Sequence, residues 1–333
     1  MRIFDTRWVG AHGIGRFAAE VHARIGGFEP IGIGGSPSAP LDPLRLWRYL
    51  RHESPELFFS PGYNAPLRVT CPFAFCIHDL AHLYVKEYAS LARRAYYETI
   101  VRGAIRHAAV VFTVSEYSRT GICEWAGISP DRVLNVGNGV SEVFRPDGAA
   151  QVRRRPYFLH VGNCRPHKNI GRVLEAFARS GMPGDVDLVC TGGASAQVRA
   201  RIRALGLDDA VSFEGQLSDD GLAKLYRGAL ALVFVSSYEG FGLPIVEAMA
   251  CGTPVLTSAA AAMPETAAGA ALLADPLDVD AIQEGMLRLL TDDALRQRLR
   301  LDGLERASFF SWTTTANRIG GILGEISPGR GRA

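Results

Sequence analysis

The stretch S-S-Y-E-G-F-G-L-P-I-V-E-A-M-A-C-G-T-P-V, from Ser236 to Val255, decides how this chain is read. Before it, Ala229 to Val235 is an apolar run with the length and β-branched content of a buried strand. After it, Leu243 to Ala250 predicts a helix, with Pro244 in the first turn and Gly252 as the stop. Gly240 and Gly242 lie between the two and let a backbone approach something closely. Phe241, Gly242 and Leu243 then carry unpaired N–H groups at a helix N-terminus, a natural anion site. Glu239 and Glu247, eight positions apart, flank that site. Side chains on a helix lean back toward its N-terminus, so Glu247 points at the same place as Glu239. Amides for an anion, with two acids for hydroxyls or developing positive charge, suit a sugar phosphate. Neither acid needs a place in a core.

Outward from this stretch, strand and helix patterns alternate along the whole chain, the mark of parallel α/β layers. At 333 residues the chain is too long for one typical core, so two domains are expected. The best linker is the polar, proline-bounded run P-D-G-A-A-Q-V-R-R-R-P, Pro146 to Pro156. This divides the chain into 1–150 and 151–312, with a final helix over 313–333 crossing back to the first domain. The first half predicts strands at 1–5, 31–33, 57–59, 73–77, 110–114 and 132–136, with a long helical segment over about 85–108. The second half begins the alternation again at Tyr157. Two doubly wound sheets side by side place the C-terminal strand ends, where ligands bind, on one cleft.

Composition narrows the function. With 47% hydrophobic and 21% charged residues, and no apolar run of about 18, the chain reads as globular without a membrane span. The start, M-R-I-F-D-T-R, reads as a charged strand and not a signal peptide, so a cytoplasmic location is expected. A net charge of +2, from 36 basic and 34 acidic residues, gives no electrostatic case for nucleic acid. The six cysteines form no C-x-x-C pair and read as buried thiols, not as a zinc site.

A second constellation, V-G-N-C-R-P-H-K-N from Val161 to Asn169, places Gly162 at a strand end and two cations, Arg165 and Lys168, at the start of a helix. Arg165 can fork onto phosphate oxygens while Lys168 supplies a point charge. Gly13-x-Gly15-x-x-Ala18 follows the first strand and matches a dinucleotide fingerprint poorly, because Trp8 to His12 intervene and no acid ends the second strand. Its glycines still form a flexible phosphate-facing loop. His78-Asp79 stands at another strand end. D-x-D occurs at Asp185/Asp187 and Asp278/Asp280, away from these motifs, and reads as helix capping and strand entry; no metal site is expected.

Taken together, E-x7-E over Glu239 to Glu247, the V-G-x-x-x-P-x-K-N element, the G-I-G-R-F loop and H-D resemble the retaining glycosyltransferases of family 4 over nearly the whole chain. The resemblance implies the GT-B fold, α/β, with two Rossmann-like doubly wound parallel-sheet domains facing a central cleft. It implies an acceptor-binding first domain and a second domain that binds a nucleotide-sugar donor. Glu239 and His78 are then catalytic. Gly13, Gly15, Gly162, Arg165, Lys168, Phe241, Gly242, Leu243 and Glu247 bind donor, and Arg16 and Asp79 border the acceptor. No cofactor or metal is implied, since protein cations neutralise the diphosphate.

The loop and the V-G-N-x-R-P-H-K-N element look most like bacterial mannosyltransferases of O-antigen and exopolysaccharide synthesis. GDP-mannose is therefore the first donor expected, with a UDP-hexose or dTDP-rhamnose as alternatives. A glycan or lipid-linked glycan is the acceptor, which suggests peripheral contact with the inner face of the membrane through Arg93, Arg94, Arg102 and Arg106. An NAD-dependent dehydrogenase and a GT-B epimerase are the disfavoured alternatives.

Overall fold

The computed structural model describes residues 1–85 and 90–326. They form two six-stranded sheets. Strands β1 (Arg2–Phe4), β2 (Glu29–Pro30), β3 (Leu57–Ser60), β4 (Phe73–Cys76), β5 (Val110–Thr113) and β6 (Val133–Asn135) make the first. Strands β7 (Tyr157–His160), β8 (Asp187–Cys190), β9 (Val211–Phe213), β10 (Ala231–Phe234), β11 (Val255–Ser258) and β12 (Leu272–Ala274) make the second. Neighbouring strands pair parallel, in the orders β2-β1-β3-β4-β5-β6 and β12-β11-β10-β7-β8-β9.

Successive side chains of a strand point to opposite faces, and the second sheet shows what that does. Phe158, Leu188, Val233 and Leu256 join one buried cluster, with Ile170, Val173, Leu174 and Phe177 of the helix Ile170–Arg179 packed on them. Leu159, Val189, Leu232, Phe234 and Val255 join another on the other face, with Ile245, Ala248 and Met249 of the helix Leu243–Ala250. A sheet covered on both sides needs strands that are apolar throughout, and all four residues of β10 are buried.

The chain separates into two compact units, 1–139 with the chain from Ser311 on, and 140–310. The first division falls at 139/140 instead of 150/151. Phe144 explains the shift: it is 3% exposed in a cluster of the second unit, its ring 5.9 Å from that of Tyr226. The second falls at 310/311 because Trp312 packs on the first unit, edge-on to Phe17 at 6.1 Å. Gly139 lies so close to Trp312 that a Cβ there would sit 2.2 Å from its backbone nitrogen. The final helix spans Trp312–Gly324, and residues 327–333 of the expected segment lie outside those described.

Two local expectations change. Ile31 to Ile33 forms no strand; the pairing with β1 comes two residues earlier, at Glu29 and Pro30. The helical segment over 85–108 is the helix Leu91–Tyr96, a π-helical turn Tyr97–Val101 and the helix Arg102–His107, with 86–89 outside the described residues. The cysteines are free thiols, buried except for the partly exposed Cys164.

Candidate functional site

In the second sheet β8 and β9 extend to one side of β7, while β10 to β12 extend to the other. Strand order therefore reverses between β7 and β10, and the crevice outside the carboxyl ends of such a pair is where doubly wound sheets bind ligands. The two stretches singled out in the sequence leave from those two ends. Gly162 to Asn169 follows β7, and Ser236 to Leu243 follows β10.

After β7, Gly162 adopts φ +149° and its N–H donates to Thr191 Oγ1 at 3.0 Å. A single turn, Pro166–Lys168, precedes the helix Ile170–Arg179. Asn169 joins the two in a left-handed conformation, 4% exposed, its amide donating to the carbonyls of Val235 and Pro276 at 3.0 and 2.6 Å. Asn169 thus ties the cationic turn to the end of β10. Arg165 is exposed, whereas Lys168 is drawn inward, its Nζ 5.0 Å from the centroid of the Phe234 ring.

After β10, Glu239 turns toward that lysine, and Lys168 Nζ lies 2.7 Å from Glu239 Oε1. Both side chains are mostly covered, at 16% and 17% exposure, so the pair is screened less than a surface one. Gly242, at φ +96°, precedes the helix Leu243–Ala250, and no side chain caps that end. The stop is as predicted, with Gly252 at φ +73° beyond it. A helix N-terminus without a side-chain cap, a lysine and a carboxylate thus meet at one switch point.

Glu247 departs from expectation. It is 4% exposed, and its Oε2 accepts a hydrogen bond from the Tyr226 hydroxyl at 3.0 Å. Burial follows from the helix itself, in which every residue from Ile245 to Ala250 is buried. Tyr226 stands 21 positions earlier, on a different helix, and no sequence signal marks it as a partner.

Beneath Lys168, His160 is 2% exposed and its Nδ1 lies 3.0 Å from the Val233 carbonyl. Burial pushes its imidazole down to about 4; the Val233 carbonyl opposes the shift and Lys168 adds to it. It is a neutral donor to that carbonyl.

In the first unit the reversal falls between β1 and β3. After β1 the chain makes one turn, Thr6–Trp8, and then the helix Gly13–His22, so Gly13, Gly15 and Arg16 lie in a helix's first turns. His12 Nδ1 accepts the Gly15 N–H at 2.9 Å, which engages one of the amides expected to face phosphate. Gly15 has a packing reason as well, since a Cβ there would lie 2.2 Å from the Gly10 carbonyl oxygen.

His78, past β4, donates from Nε2 to the Pro61 carbonyl at 2.9 Å, with Phe17 edge-on at 4.8 Å. Burial lowers its pKa to about 4 despite that carbonyl, which leaves Nδ1 as an acceptor. Asp79 Oδ1 accepts the Ala81 N–H at 2.9 Å.

Holding the loops after β1 and β3 together is a buried network that the sequence did not announce. Arg7 bridges Asp5 and Asp42 at 2.7 and 2.6 Å, both acids being fully buried. Asn64 donates to both acids at 2.9 and 3.2 Å and accepts from the Trp8 indole at 2.6 Å. The network fixes the loop that carries Pro61, and through it His78.

No cluster of three or more His, Cys, Asp or Glu that could hold a metal occurs among the described residues. Of the D-x-D acids, Asp187 pairs with Arg155 at 2.6 Å, and Asp278 caps a helix by accepting from Asp280 and Ala281 N–H. Nor is any helix among those residues long and apolar enough to cross a membrane.

Comparison with known proteins adds the following. Residues 147–306 match the family described as Glycosyl transferases group 1, and residues 4–144 match Glycosyltransferase Family 4. The chain is 32% identical over 286 residues to the O-antigen chain mannosyltransferase B of Escherichia coli, covering 82% of this chain and 75% of that protein. Its structure is similar to that of WaaG, a glycosyltransferase involved in lipopolysaccharide biosynthesis, with a TM-score of 0.78 at 16% identity over 98% of this chain and 100% of that one. It is equally similar, at 0.78, to Anabaena HepE in complex with UDP-glucose, with 17% identity over 97% and 99% of the two chains. At such identities the two structures speak to the fold alone.

Proposed function

Because this chain belongs to glycosyltransferase family 4 and has the GT-B fold, we propose that it transfers mannose from GDP-mannose, with retention, to a glycan or lipid-linked glycan in bacterial surface polysaccharide synthesis. That it is a glycosyltransferase follows from the family. The donor, stereochemistry and acceptor are the proposal. What carries it is the Lys168–Glu239 pair at 2.7 Å beside an uncapped helix N-terminus at the switch point of the second sheet. Cation and amides suit a diphosphate, and a carboxylate at the same place suits the sugar bonded to it. Mannose is favoured by the similarity to the O-antigen mannosyltransferase.

In this reading Arg165, Lys168 and the amides of Phe241 to Leu243 stabilise the departing diphosphate, the main catalytic term. Glu239 faces the sugar where positive charge develops, and Glu247 reaches donor hydroxyls. His78, neutral, offers Nδ1 to a hydroxyl. Gly13 and Gly15 serve the donor, Arg16 and Asp79 the acceptor. Glycosyl transfer breaks the bond from the anomeric carbon to the diphosphate oxygen and forms one to the acceptor oxygen; the acceptor proton leaves with the diphosphate.

A thermal-shift panel of GDP-, UDP- and dTDP-sugars beside NAD tests the donor: GDP-mannose should stabilise most. Preference for a UDP-hexose or dTDP-rhamnose would replace the donor and keep the family. Since in this reading cations and amides of the protein supply the positive charge, and Asp187 and Asp278 of the D-x-D pairs are engaged elsewhere, activity should survive EDTA. A loss of more than about tenfold, restored by Mg²⁺ or Mn²⁺, would contradict metal independence.

A cytoplasmic enzyme touching the inner face of the membrane completes the proposal. Arg93, Arg94 and Arg106 are exposed, while Arg102 pairs with Glu98 at 3.1 Å. Replacing all four by alanine should reduce sedimentation with anionic vesicles. Unchanged sedimentation would remove this patch as the contact.

A further inference from the structure

Two carbonyls of the E-G-F turn, those of Glu239 and Phe241 on either side of Gly240, are tied to the same short segment. Ala262 N–H donates to Glu239 O at 3.3 Å, and the Thr266 hydroxyl donates to Phe241 O at 2.6 Å. Ala262 and Thr266 are themselves joined by a hydrogen bond of 2.9 Å across the helix Met263–Ala267. Thr266 is 1% exposed and Phe241 6%, so this hydrogen bond lies in a largely buried setting. Ala261, just before, is held left-handed at φ +53°, the conformation that brings the segment round to face the turn.

A second tie runs through the aromatic rings. The Phe241 ring meets Phe310 edge-to-face at 5.4 Å. The Arg306 guanidinium lies 4.6 Å over the Phe310 ring and donates to Thr266 O and Glu265 O, each at 2.9 Å. Those carbonyls belong to the last turn of the helix Met263–Ala267, where the helix supplies no partner. Arg306 thus holds Thr266 by its backbone and Phe241 through Phe310.

We propose that Thr266, braced by Arg306, is a positioning residue that aims the amides of Phe241, Gly242 and Leu243 at the diphosphate. The peptide plane of Phe241–Gly242 contains the carbonyl that Thr266 holds and the N–H of Gly242. Fixing the oxygen fixes the direction of the hydrogen on the other side of the same planar unit. Donors aimed in advance at the place where charge develops need not reorganise during reaction. The proposal rests on reading this turn as the donor site, and it adds what holds the turn in register.

The test is Thr266→Val, which keeps the shape and removes the hydroxyl, beside Thr266→Ser, which keeps the hydroxyl. Amide hydrogen exchange at 240–243 is measured on the ligand-free full chain, so it does not depend on the donor. Thr266→Val should exchange faster there with the rest of the chain unchanged, and Thr266→Ser should match the wild type. In steady-state kinetics Thr266→Val should lose about tenfold in turnover, part of the ~10²-fold that an ångström of misplacement costs. KM should rise less, because the charge on the diphosphate is greatest as the bond breaks. Thr266→Ser should restore turnover.

Wild-type exchange at 240–243 in Thr266→Val would overturn the proposal, as would equal loss in both variants. If Thr266→Val fails to fold, Arg306→Lys is read in its place, since it keeps the charge and loses the forked contact to the two carbonyls. Failure of the donor-site reading looks different: Glu239→Gln itself would then turn over normally while exchange in Thr266→Val still rose.

Discussion

Glu239→Gln is expected to lower kcat by about 10²–10³-fold, comparable to removing a preorganised electrostatic group. Glu239 stands in the turn just before the uncapped helix end, and in the proposed function this is where the sugar–phosphate bond stretches and positive charge grows on the sugar. An interaction made mainly in the transition state lowers turnover when it is lost, and one made equally in the ground state raises KM. The ion pair sharpens the expectation. Lys168 is held by Glu239 at 2.7 Å, so in the proposed function a donor diphosphate would have to draw the lysine from the carboxylate. The neutral amide removes that competition, and GDP should bind the variant at least as tightly as the wild type.

Glu247→Gln should behave in the opposite way, weakening donor binding by about 1–3 kcal/mol with little change in kcat. The variant should fold, because the glutamine oxygen can still accept from the Tyr226 hydroxyl. Kinetics and GDP calorimetry on both variants decide it. Near-normal kcat with raised KM in Glu239→Gln would reverse the assignment of the two acids.

Lys168→Ala should lose about 10²–10³-fold in kcat/KM, within the range for truncating one partner of a close, desolvated charge pair. Two effects act together. In the proposed function the diphosphate would lose a cation, and Glu239, at 17% exposure, would be left uncompensated beside an incoming anion. Arg165 does not replace it, because that side chain is exposed while Lys168 lies inward over the Phe234 ring. The loss should therefore appear in GDP binding as well as in turnover. GDP affinity unchanged by calorimetry in Lys168→Ala would remove the lysine from the diphosphate site.

What the sequence disclosed was what local chemistry dictates. Pro244 and Gly252 bracket a helix that runs from Leu243 to Ala250, as the propensities of proline and glycine require. Strands such as β10 are legible because a sheet covered on both faces needs unbroken apolar residues. Contacts between distant residues left no such trace. Tyr226 meets Glu247 across 21 positions and buries it; Thr266 meets Phe241 across 25. Asp5, Arg7, Asp42 and Asn64 each look like ordinary surface residues in sequence, yet converge in a network with both acids fully buried. The unit boundary was misplaced for the same reason. Pro146 to Pro156 has the composition of a linker, but Phe144 had already joined the second unit's core. Strand β2 escaped notice because its residues, Glu29 and Pro30, have neither the apolar pattern nor the propensity of a strand.

The central claim, mannose transfer with retention, is tested most directly by the product. The chain is incubated with GDP-α-mannose and a mannose-terminated glycan primer, and the new anomeric centre is assigned by NMR. A single new mannose in α linkage is expected, formed by the wild type and slowed about 10²–10³-fold in Glu239→Gln. A β-linked mannose, or transfer to the same primer only from a UDP- or dTDP-sugar, would contradict it.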